Sequence, residues 1–192
     1  MTDLTSRVST TIAQSRDNLT ALIGLSGDIA KGADAIIRTL KAGRTVYFCG
    51  NGGSCSDAAH LAGELSGRFF LDRKSLPAVA LGMNNAALTA IGNDFGYEEV
   101  FARELEGLAR PGDLVIGIST SGKSANVVKA LTLAKSKGLT TMGLTGQSGG
   151  VMAGLADICI KVPSGSTPRI QEMHIVAGHI MCELAEAALA SS

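Results

Sequence analysis

The sequence has no surplus of either charge. Seventeen lysines and arginines balance seventeen aspartates and glutamates, so the chain is formally neutral at pH 7. Binding to nucleic acid or to an anionic membrane surface is usually driven by clustered positive charge. The sequence therefore gives no electrostatic reason to expect such a partner, and we expect no nucleic acid and no membrane among its ligands.

Cysteine pairs of the C-x-x-C type are also missing. The four cysteines stand at positions 49, 55, 159 and 182, and no two of them have that spacing. A zinc ribbon and a thioredoxin-like redox motif are therefore not indicated. Three of the four have apolar neighbours, which is typical of free thiols buried as small hydrophobic residues.

A long uninterrupted apolar run is a third absence. We find no stretch that is predicted to span a membrane. Charged residues at Asp3, Arg7, Arg16 and Asp17 argue against a signal peptide within the first 26 positions. We therefore expect a cytoplasmic protein whose thiols stay reduced.

Short apolar runs, by contrast, recur regularly along the chain. Five of them, bounded by Gly, Asp or Pro, are predicted as buried strands: residues 45–49, 77–81, 114–118, 140–144 and 158–162. Helical patterns cover residues 57–66, 98–108, 125–137 and 168–189. Strand alternating with helix predicts an α/β fold with a doubly wound, five-stranded, flavodoxin-like parallel sheet flanked by helices.

Two further helices are predicted before the first strand. Apolar residues recur at helical spacing from Leu4 to Ile23, and a second helix follows over residues 26–42. We predict one domain across residues 1–192, with residues 1–42 as N-terminal helices and residues 43–192 as the α/β core. The extra helices exceed what a minimal sheet needs, so they could cover a sheet edge or form an oligomer interface.

Small polar loops follow two of the predicted strands. The first is Gly50-Asn51-Gly52-Gly53-Ser54, and the second runs from Ser119 through Thr120 and Ser121 to Ser124. Backbone N–H groups at a helix start, together with hydroxyl side chains, bind anions such as phosphate. One such loop could be an ordinary serine-capped turn. Two at the carboxyl edge of one parallel sheet favour a phosphate site.

The second loop also satisfies a nucleotide-binding pattern. Residues 117–124 read G-I-S-T-S-G-K-S, which matches G-x-x-x-x-G-K-[ST]. Two observations argue against a P-loop nucleotidase. Gly117 falls inside an apolar run and so belongs to the strand, and no predicted strand ends in an Asp suited to hold magnesium.

Histidine and carboxylate pairs offer candidate metal ligands. His60 and Glu64 are four residues apart, which places them on one face of a helix. An imidazole and a carboxylate can bind zinc or a similar ion, although such pairs are more often surface hydrogen bonds. Gln171 and His179 are eight residues apart, about 12 Å along a straight helix. Reaching one metal from both would need long side chains or a bend near Gly178.

Several of these segments together resemble a known family. The segments are G-N-G-G-S, D-A-x-H-x-A-x-E, A-I-G-N-D-F-G-Y, G-I-S-T-S-G-x-S and R-I-Q-E-x-H, in that order along nearly the whole chain. In these segments the sequence resembles the phosphoheptose isomerases, a family of sugar isomerase (SIS) domain proteins. The resemblance implies that sedoheptulose 7-phosphate is converted to D-glycero-D-manno-heptose 7-phosphate, an early step towards heptose in bacterial surface glycans such as lipopolysaccharide. It also implies a homotetramer.

The resemblance further implies roles for individual residues. Phosphate would be bound by Ser119, Thr120, Ser121 and Ser124. The sugar would be lined by Asn51, Gly52, Gly53, Asn93 and Asp94. One zinc ion per subunit would be held by His60, Glu64, Gln171 and His179, with Glu64 and Gln171 also contacting the substrate.

Catalysis, on this resemblance, falls to Glu64 and His179. Moving a carbonyl between C1 and C2 needs a base on carbon and a group that moves protons between the oxygens. Glu64 suits the first task and His179 the second. Relatives that only sense sugar phosphates, or that act as adaptors for the replication initiator, are the alternative, and the R-I-Q-E-M-H stretch alone does not exclude them.

Overall fold

A five-stranded parallel sheet forms the centre of the structure, a computed structural model that describes residues 3–190. The strand order is β2-β1-β3-β4-β5, which is the predicted flavodoxin-like order. In such a sheet the order reverses between β1 and β3, and ligands bind beyond the carboxyl ends of those strands. The strands are β1 (Val46–Gly50), β2 (Ala78–Ala80), β3 (Leu114–Ser119), β4 (Thr140–Thr145) and β5 (Ile158–Lys161).

Helices cover both faces of the sheet. They are α1 (Leu4–Leu22), α2 (Ser26–Lys41), α3 (Gly53–Ser66), α4 (Asn85–Phe95), α5 (Val100–Leu108), α6 (Ala125–Ser136), α7 (Met152–Leu155) and α8 (Thr167–Ala190), with 3-10 turns at Ile23–Leu25 and Tyr97–Glu99.

Alternation along β1 divides the core into two layers. Val46 and Phe48 pack with side chains of α2, α3 and α8, whereas Tyr47 and Cys49 pack with α5 and α6. Strands β1 and β3 are buried along their full length. Burial on both faces explains why these strands are continuous apolar runs rather than alternating ones.

The predicted elements are confirmed, with shifted ends and two omissions. Helix α3 begins at Gly53, four residues before the predicted start. Helices α4 and α7 were not predicted. No residue of α4 is fully buried, although Leu88 and Ile91 pack against the core. The helix starts at a cap where Asn84 Oδ1 accepts from two backbone N–H groups. Helix α7 is only four residues long.

The two leading helices differ in how they are covered. Helix α2 is part of the core, with Ile29, Ala33 and Ile36 buried. Helix α1 buries only Leu22 and leaves a row of apolar side chains in solvent. Helix α2 therefore packs on the sheet, whereas no described residue packs over the exposed apolar side chains of α1.

Helix α8 corrects one expectation from the sequence. It is the one helix among residues 3–190 whose length and composition would allow it to cross a membrane, although no such stretch was predicted. Its buried side packs against α2 and α3 through residues such as Met173, Ala177 and Met181. These contacts place α8 in the core of the described fold. A core helix can have the same length and apolar composition as a helix that crosses a membrane.

Candidate active site

The two polar loops lie side by side at the predicted edge of the sheet. Strands β1 and β3 pair in register, with Gly50 opposite Ile118 at their carboxyl ends. Between the loops that follow them is an open pocket of about 320 Å³. Its lining residues are Asn51, Gly52, Gly53, Ser54, Ile118, Ser119, Thr120, Ser124, Thr167 and Gln171. Most of the predicted substrate residues are thereby brought together.

Hydroxyl groups converge on one side of this pocket. Ser119 Oγ lies 2.8 Å from Ser124 Oγ and 3.4 Å from Ser121 Oγ. Ser124 precedes the first residue of α6, but its side chain makes no hydrogen bond to the helix N-terminus. Its hydroxyl faces Ser119 instead and can donate to a ligand. A hydroxyl cluster at the positive end of a helix suits a phosphate group.

Gly122 fixes the shape of the hydroxyl loop. Its backbone has φ of +63°, and a Cβ there would lie 2.1 Å from the carbonyl oxygen of Gly149. Only glycine fits a left-handed conformation that is pressed against another backbone segment. The backbone around Gly149 and Gly150 therefore fixes the loop from one side, in addition to the hydrogen bonds among the loop's own serine side chains.

The nucleotide-binding alternative fails on geometry. Gly117 lies within β3, opposite Cys49 and Gly143, as predicted. A Cβ at Gly117 would lie 2.7 Å from Val127, so this glycine serves the packing of α6 on the sheet. Lys123 is exposed and does not line the pocket.

Asn51 connects the first loop to two other elements. Its side-chain amide and that of Asn126 on α6 exchange two hydrogen bonds of 2.8 Å. The hydroxyl of Tyr97 also donates to Asn51 Oδ1 at 3.0 Å. Sequence reasoning did not assign roles to Asn126 or Tyr97. The reciprocal amide pair spans 75 positions and leaves no local signal in the sequence.

Asn93 and Asp94 stand near the end of α4, outside the pocket lining. Both are exposed, and Asn93 Nδ2 donates to Asp94 Oδ1 at 2.8 Å. The segment that follows reaches the pocket through Tyr97. Contact of Asn93 and Asp94 with the sugar remains a prediction.

A second cluster joins α3 to α8. His60 Nε2 lies 3.0 Å from Glu64 Oε1 on α3 and 2.9 Å from His179 Nε2 on α8. The ring of Phe69 lies 5.6 Å from that of His179 and forms an apolar side of the cluster. His60 is about half exposed and Glu64 about a quarter, at 49% and 24%, so the cluster is open to a ligand.

A close approach of the two helices produces this cluster. A Cβ at Gly178 would lie 2.6 Å from both terminal methyl groups of Leu61, which is buried in the core. Glycine at this position lets α8 approach α3, and the next residue on α8 is His179. No bend at Gly178 is needed for His179 to reach His60 and Glu64.

The ligand atoms of this cluster fit a divalent metal ion. One nitrogen of each histidine and one oxygen of Glu64 all lie within 4.8 Å of one another. Two imidazoles and a carboxylate form a donor set that suits zinc and related ions, with a position left open. The three side chains therefore could hold such an ion.

Gln171 lies nearer the hydroxyl-lined pocket. Its side-chain amide is pressed against Gly53, where a Cβ would lie 2.3 Å from Nε2. It lines the pocket together with Thr167, which the sequence did not single out. Gln171 and His179 are about two turns apart on α8. The helix therefore links the pocket to the cluster, and metal ligation by Gln171 stays a prediction.

Asp57 is a further carboxyl group close to the cluster. It lies one turn before His60 on α3, and its Oδ2 is buried with no hydrogen-bond partner among the described residues. Burial raises the pKa of Asp57 to about 6, against an opposing effect of His60. The sequence motif contains this residue, but its spacing alone does not indicate a role.

Comparison with known proteins gives consistent similarities. The SIS domain family profile matches residues 12–146. A phosphoheptose isomerase from Akkermansia muciniphila is 54% identical over 170 residues, which cover 88% of this chain and 90% of that protein.

Two solved structures are similar over almost the whole fold. A phosphoheptose isomerase from Neisseria gonorrhoeae has a TM-score of 0.90 and 38% identity, covering 96% of this chain and 99% of that one. A phosphoheptose isomerase from Francisella tularensis has a TM-score of 0.92 and 32% identity, covering 97% of this chain and 100% of that one.

Proposed function

Because the chain belongs to the phosphoheptose isomerase family of SIS domain proteins, we propose that it converts sedoheptulose 7-phosphate to D-glycero-D-manno-heptose 7-phosphate. One observation carries the proposal. A hydroxyl-lined pocket and an imidazole–carboxylate cluster are joined by α3 and α8, which contribute residues to both. A sugar with phosphate at one end and a carbonyl at the other suits such an arrangement.

Phosphate binding is the task of the hydroxyl loop. Ser119, Thr120, Ser121 and Ser124 donate to the phosphate oxygens, with the N-terminus of α6 adding its positive end. The phosphate takes no part in the reaction. Its binding energy fixes the distant reacting carbons in place, which lowers the entropic part of the barrier.

Sugar hydroxyls are contacted by the other side of the pocket. Asn51, Gly52, Gly53 and Gln171 stand between the phosphate loop and the cluster, while Asn93 and Asp94 approach from α4. The bonds from Asn126 and Tyr97 hold Asn51 in one orientation before the substrate arrives.

The proton transfers belong to Glu64 and His179. Glu64 removes the proton from C1 of the ketose and returns a proton to C2 of the resulting enediol. His179 moves the proton between the two oxygens. His60, Glu64, Gln171 and His179 would hold one zinc ion, which when bound polarises the carbonyl and stabilises negative charge on oxygen.

The double assignment of Glu64 constrains the mechanism. A carboxylate that binds a metal is a weaker base, so Glu64 has to move or bind loosely when it takes the proton. Its side chain is partly exposed and rests on His60 alone among the contacts of the cluster, so a change of rotamer breaks one contact.

Turnover of sedoheptulose 7-phosphate tests the proposal directly. The purified protein should form the aldose, and Glu64→Gln should lower kcat by about 10²- to 10⁴-fold, because a positioned general base contributes that much. Glu183→Gln, an exposed change on α8, is the matched control and should be silent. Tight binding without turnover in the wild type would indicate a sugar-phosphate sensor or an adaptor instead.

A homotetramer with active sites near subunit interfaces is the second part of the proposal. The exposed apolar row on α1 and the turn that follows it supports this part, since Leu4, Val8 and Ile12 on α1 and Ile23 in the turn are between 57% and 74% exposed. Such a row on a helix typically packs against helices of another protomer. The product would enter heptose synthesis for bacterial surface glycans in the cytoplasm.

Complementation tests the shared site. Glu64→Gln protein, which lacks turnover, is mixed with Ser119→Ala/Ser124→Ala protein at a substrate concentration well below the raised KM. Activity should rise after subunit exchange if the two sets of residues meet across an interface. Sedimentation coupled to an activity assay gives the decisive measurement. A fully active species at the mass of a single chain would contradict the shared site.

A further inference from the structure

A buried carboxylate on α8 holds the loop that follows α3. Glu186 is 1% exposed. Its Oε1 accepts from the N–H of Phe69 at 2.8 Å, and its Oε2 accepts from the N–H groups of Phe70 at 2.6 Å and Leu71 at 2.9 Å. Three successive backbone donors therefore converge on one side chain.

Arg73 completes this arrangement from the loop side. Its Nε lies 3.0 Å from Glu186 Oε1, and both side chains are at most 5% exposed. Its terminal nitrogens donate to four backbone carbonyls: Glu64 at 2.9 Å, Leu65 at 2.8 Å, Gly67 at 3.1 Å and Lys74 at 3.0 Å. Two of these carbonyls belong to the last turn of α3, where backbone acceptors have no partner within the helix.

The Arg73–Glu186 pair touches every element that carries the acid–base cluster. Arg73 binds the carbonyl of Glu64 itself. Glu186 stands seven residues after His179, which is two turns along the same face of α8. Phe69, whose N–H is bound by Glu186, packs its ring 5.6 Å from that of His179.

We propose that Arg73 and Glu186 are positioning residues for the catalytic cluster, setting the separation of α3 and α8 where they present Glu64, His60 and His179. The proposal rests on the proposed function only for what the cluster does. The spacing that the pair imposes on the three side chains is a property of the fold alone.

A purely stabilising role explains the pair less well. Buried ion pairs seldom add net stability compared with apolar side chains of similar size, because both charges lose their hydration. What this charged pair adds is direction, since both oxygens of Glu186 and both terminal nitrogens of Arg73 bond to backbone groups at fixed positions. Such precision matters beside a cluster whose ligand atoms have to meet within a few ångströms.

Glu186→Gln tests the proposal with little change of volume. The amide nitrogen of glutamine cannot accept, so it would face either the N–H of Phe69 and Arg73 or the N–H groups of Phe70 and Leu71. We expect the loop and the end of α3 to shift, so that His60 and His179 no longer meet at their present distance.

Histidine NMR gives a readout that does not depend on activity. The chain has three histidines, His60, His174 and His179. In metal-free protein at fixed pH, the imidazole signals of His60 and His179 should move in Glu186→Gln. Those of His174, buried in the core at 1% exposure, should not. A purely stabilising role would leave all three signals in place in the folded variant and lower only its resistance to unfolding.

Zinc titration followed by the same signals measures the functional consequence. We expect zinc to bind about 10- to 100-fold more weakly in Glu186→Gln, the usual effect of losing a group that orients metal ligands. The kcat should fall, with the KM for sugar phosphate changed by less than about threefold, because the phosphate loop is untouched. Failure of zinc to move the wild-type signals would count against the proposed metal, and the metal-free comparison would still test positioning.

Two further variants complete the design. Glu183→Gln, one turn earlier on α8 and exposed, is the matched control and should leave all three histidine signals in place. Arg73→Lys keeps the charge but loses the planar fork, and it decides the question if Glu186→Gln does not fold. Unmoved signals of His60 and His179 in the folded variants would overturn the proposal, and so would equal shifts of all three histidines.

Discussion

The phosphate pocket and the acid–base cluster are built on different principles. The pocket is formed by backbone loops after two adjacent strands, and its shape depends on glycines and on the register of the sheet. The cluster is formed by side chains on two helices, with His60 and His179 separated by 119 positions. Helix packing alone brings them together. The hydroxyl loop from Ser119 to Ser124, which lies between β3 and α6, should therefore tolerate changes in the spacing of α3 and α8 that destroy the cluster.

Separating α3 from α8 should give the largest effect. In Gly178→Val, the new side chain meets the buried Leu61 and has no room. We expect a loss of about 1–3 kcal/mol in the free energy of unfolding, as is usual for an overpacked core. Turnover should fall more than 100-fold because His179 moves away from Glu64, while binding of inorganic phosphate stays near normal. Thermal unfolding, kinetics and phosphate titration measure the three quantities.

Gly27→Ala is the matched control for this substitution. Gly27 is also in a helix, and a Cβ there would meet no atom within 4 Å. Alanine should raise stability by up to about 1 kcal/mol through helix propensity and leave turnover unchanged. Normal activity in Gly178→Val would mean that the cluster does not depend on the close approach of the helices.

Damage to the pocket should raise the KM, whereas separation of the two helices should lower turnover. Ser119→Ala/Ser124→Ala removes two hydroxyls that lie 2.8 Å apart. Hydrogen bonds to a charged group contribute about 1.5–3 kcal/mol each, so the KM should rise by at least tenfold. The histidine signals of the cluster should not move. Ser136→Ala at the other end of α6, whose hydroxyl bonds only to Leu133 O, is the control. An unchanged KM would remove phosphate from this loop.

The contrast between pocket and cluster also explains what the sequence could predict. The two loops are short segments next to apolar runs, so the sheet order and the residues at its edge follow from local pattern. The ends of the strands differ from the prediction by at most one residue, because burial and not the exact turn decides them. The alternation of strand and helix was sufficient for the fold.

Contacts between distant side chains were not predictable in the same way. The His60–Glu64 pair is visible from helical spacing, but its meeting with His179 depends on Gly178 and Leu61 in van der Waals contact. The roles of Asn126 and Arg73 depend on partners far along the chain. Single residues at such positions carry no periodic signal.

A smaller effect, on the pH dependence of stability, is expected from His174. Burial lowers the pKa of His174 to about 4 from 6.5, against a smaller opposing effect of the Thr145 backbone, and neither ring nitrogen has a hydrogen-bond partner among the described residues. As pH falls below 6.5, the unfolded chain takes up a proton that the folded chain refuses. Stability should therefore fall between pH 6.5 and about 4, by up to about 3 kcal/mol.

Denaturant unfolding across this pH range isolates the contribution of His174. Comparing the wild type with His174→Gln is necessary because Asp57, whose pKa is raised to about 6, changes stability in the opposite direction over part of the range. The difference between the two curves should shrink as pH falls from 6.5 to 4. A difference that is independent of pH would mean that His174 is not a neutral buried group.

Replacing Lys123 should give the smallest change in activity. This substitution separates the contribution of the loop backbone from that of a side chain on the same loop. Lys123 is exposed and has no place in the pocket lining, although it stands between Gly122 and Ser124. Only its backbone is engaged, with its N–H donating to Ser121 Oγ at 3.2 Å. An exposed, solvated charge contributes no more than about 1 kcal/mol to binding an anion nearby, and salt screens it. Lys123→Ala should therefore lower kcat/KM by less than about fivefold at low ionic strength, and by less at 0.5 M salt, with kcat unchanged.

The wild type should not hydrolyse ATP, because Gly117 lies in β3 and cannot form part of a phosphate cradle. ATP hydrolysis that disappears in Lys123→Ala would restore the nucleotide-binding interpretation and overturn the assignment of this loop to a sugar phosphate.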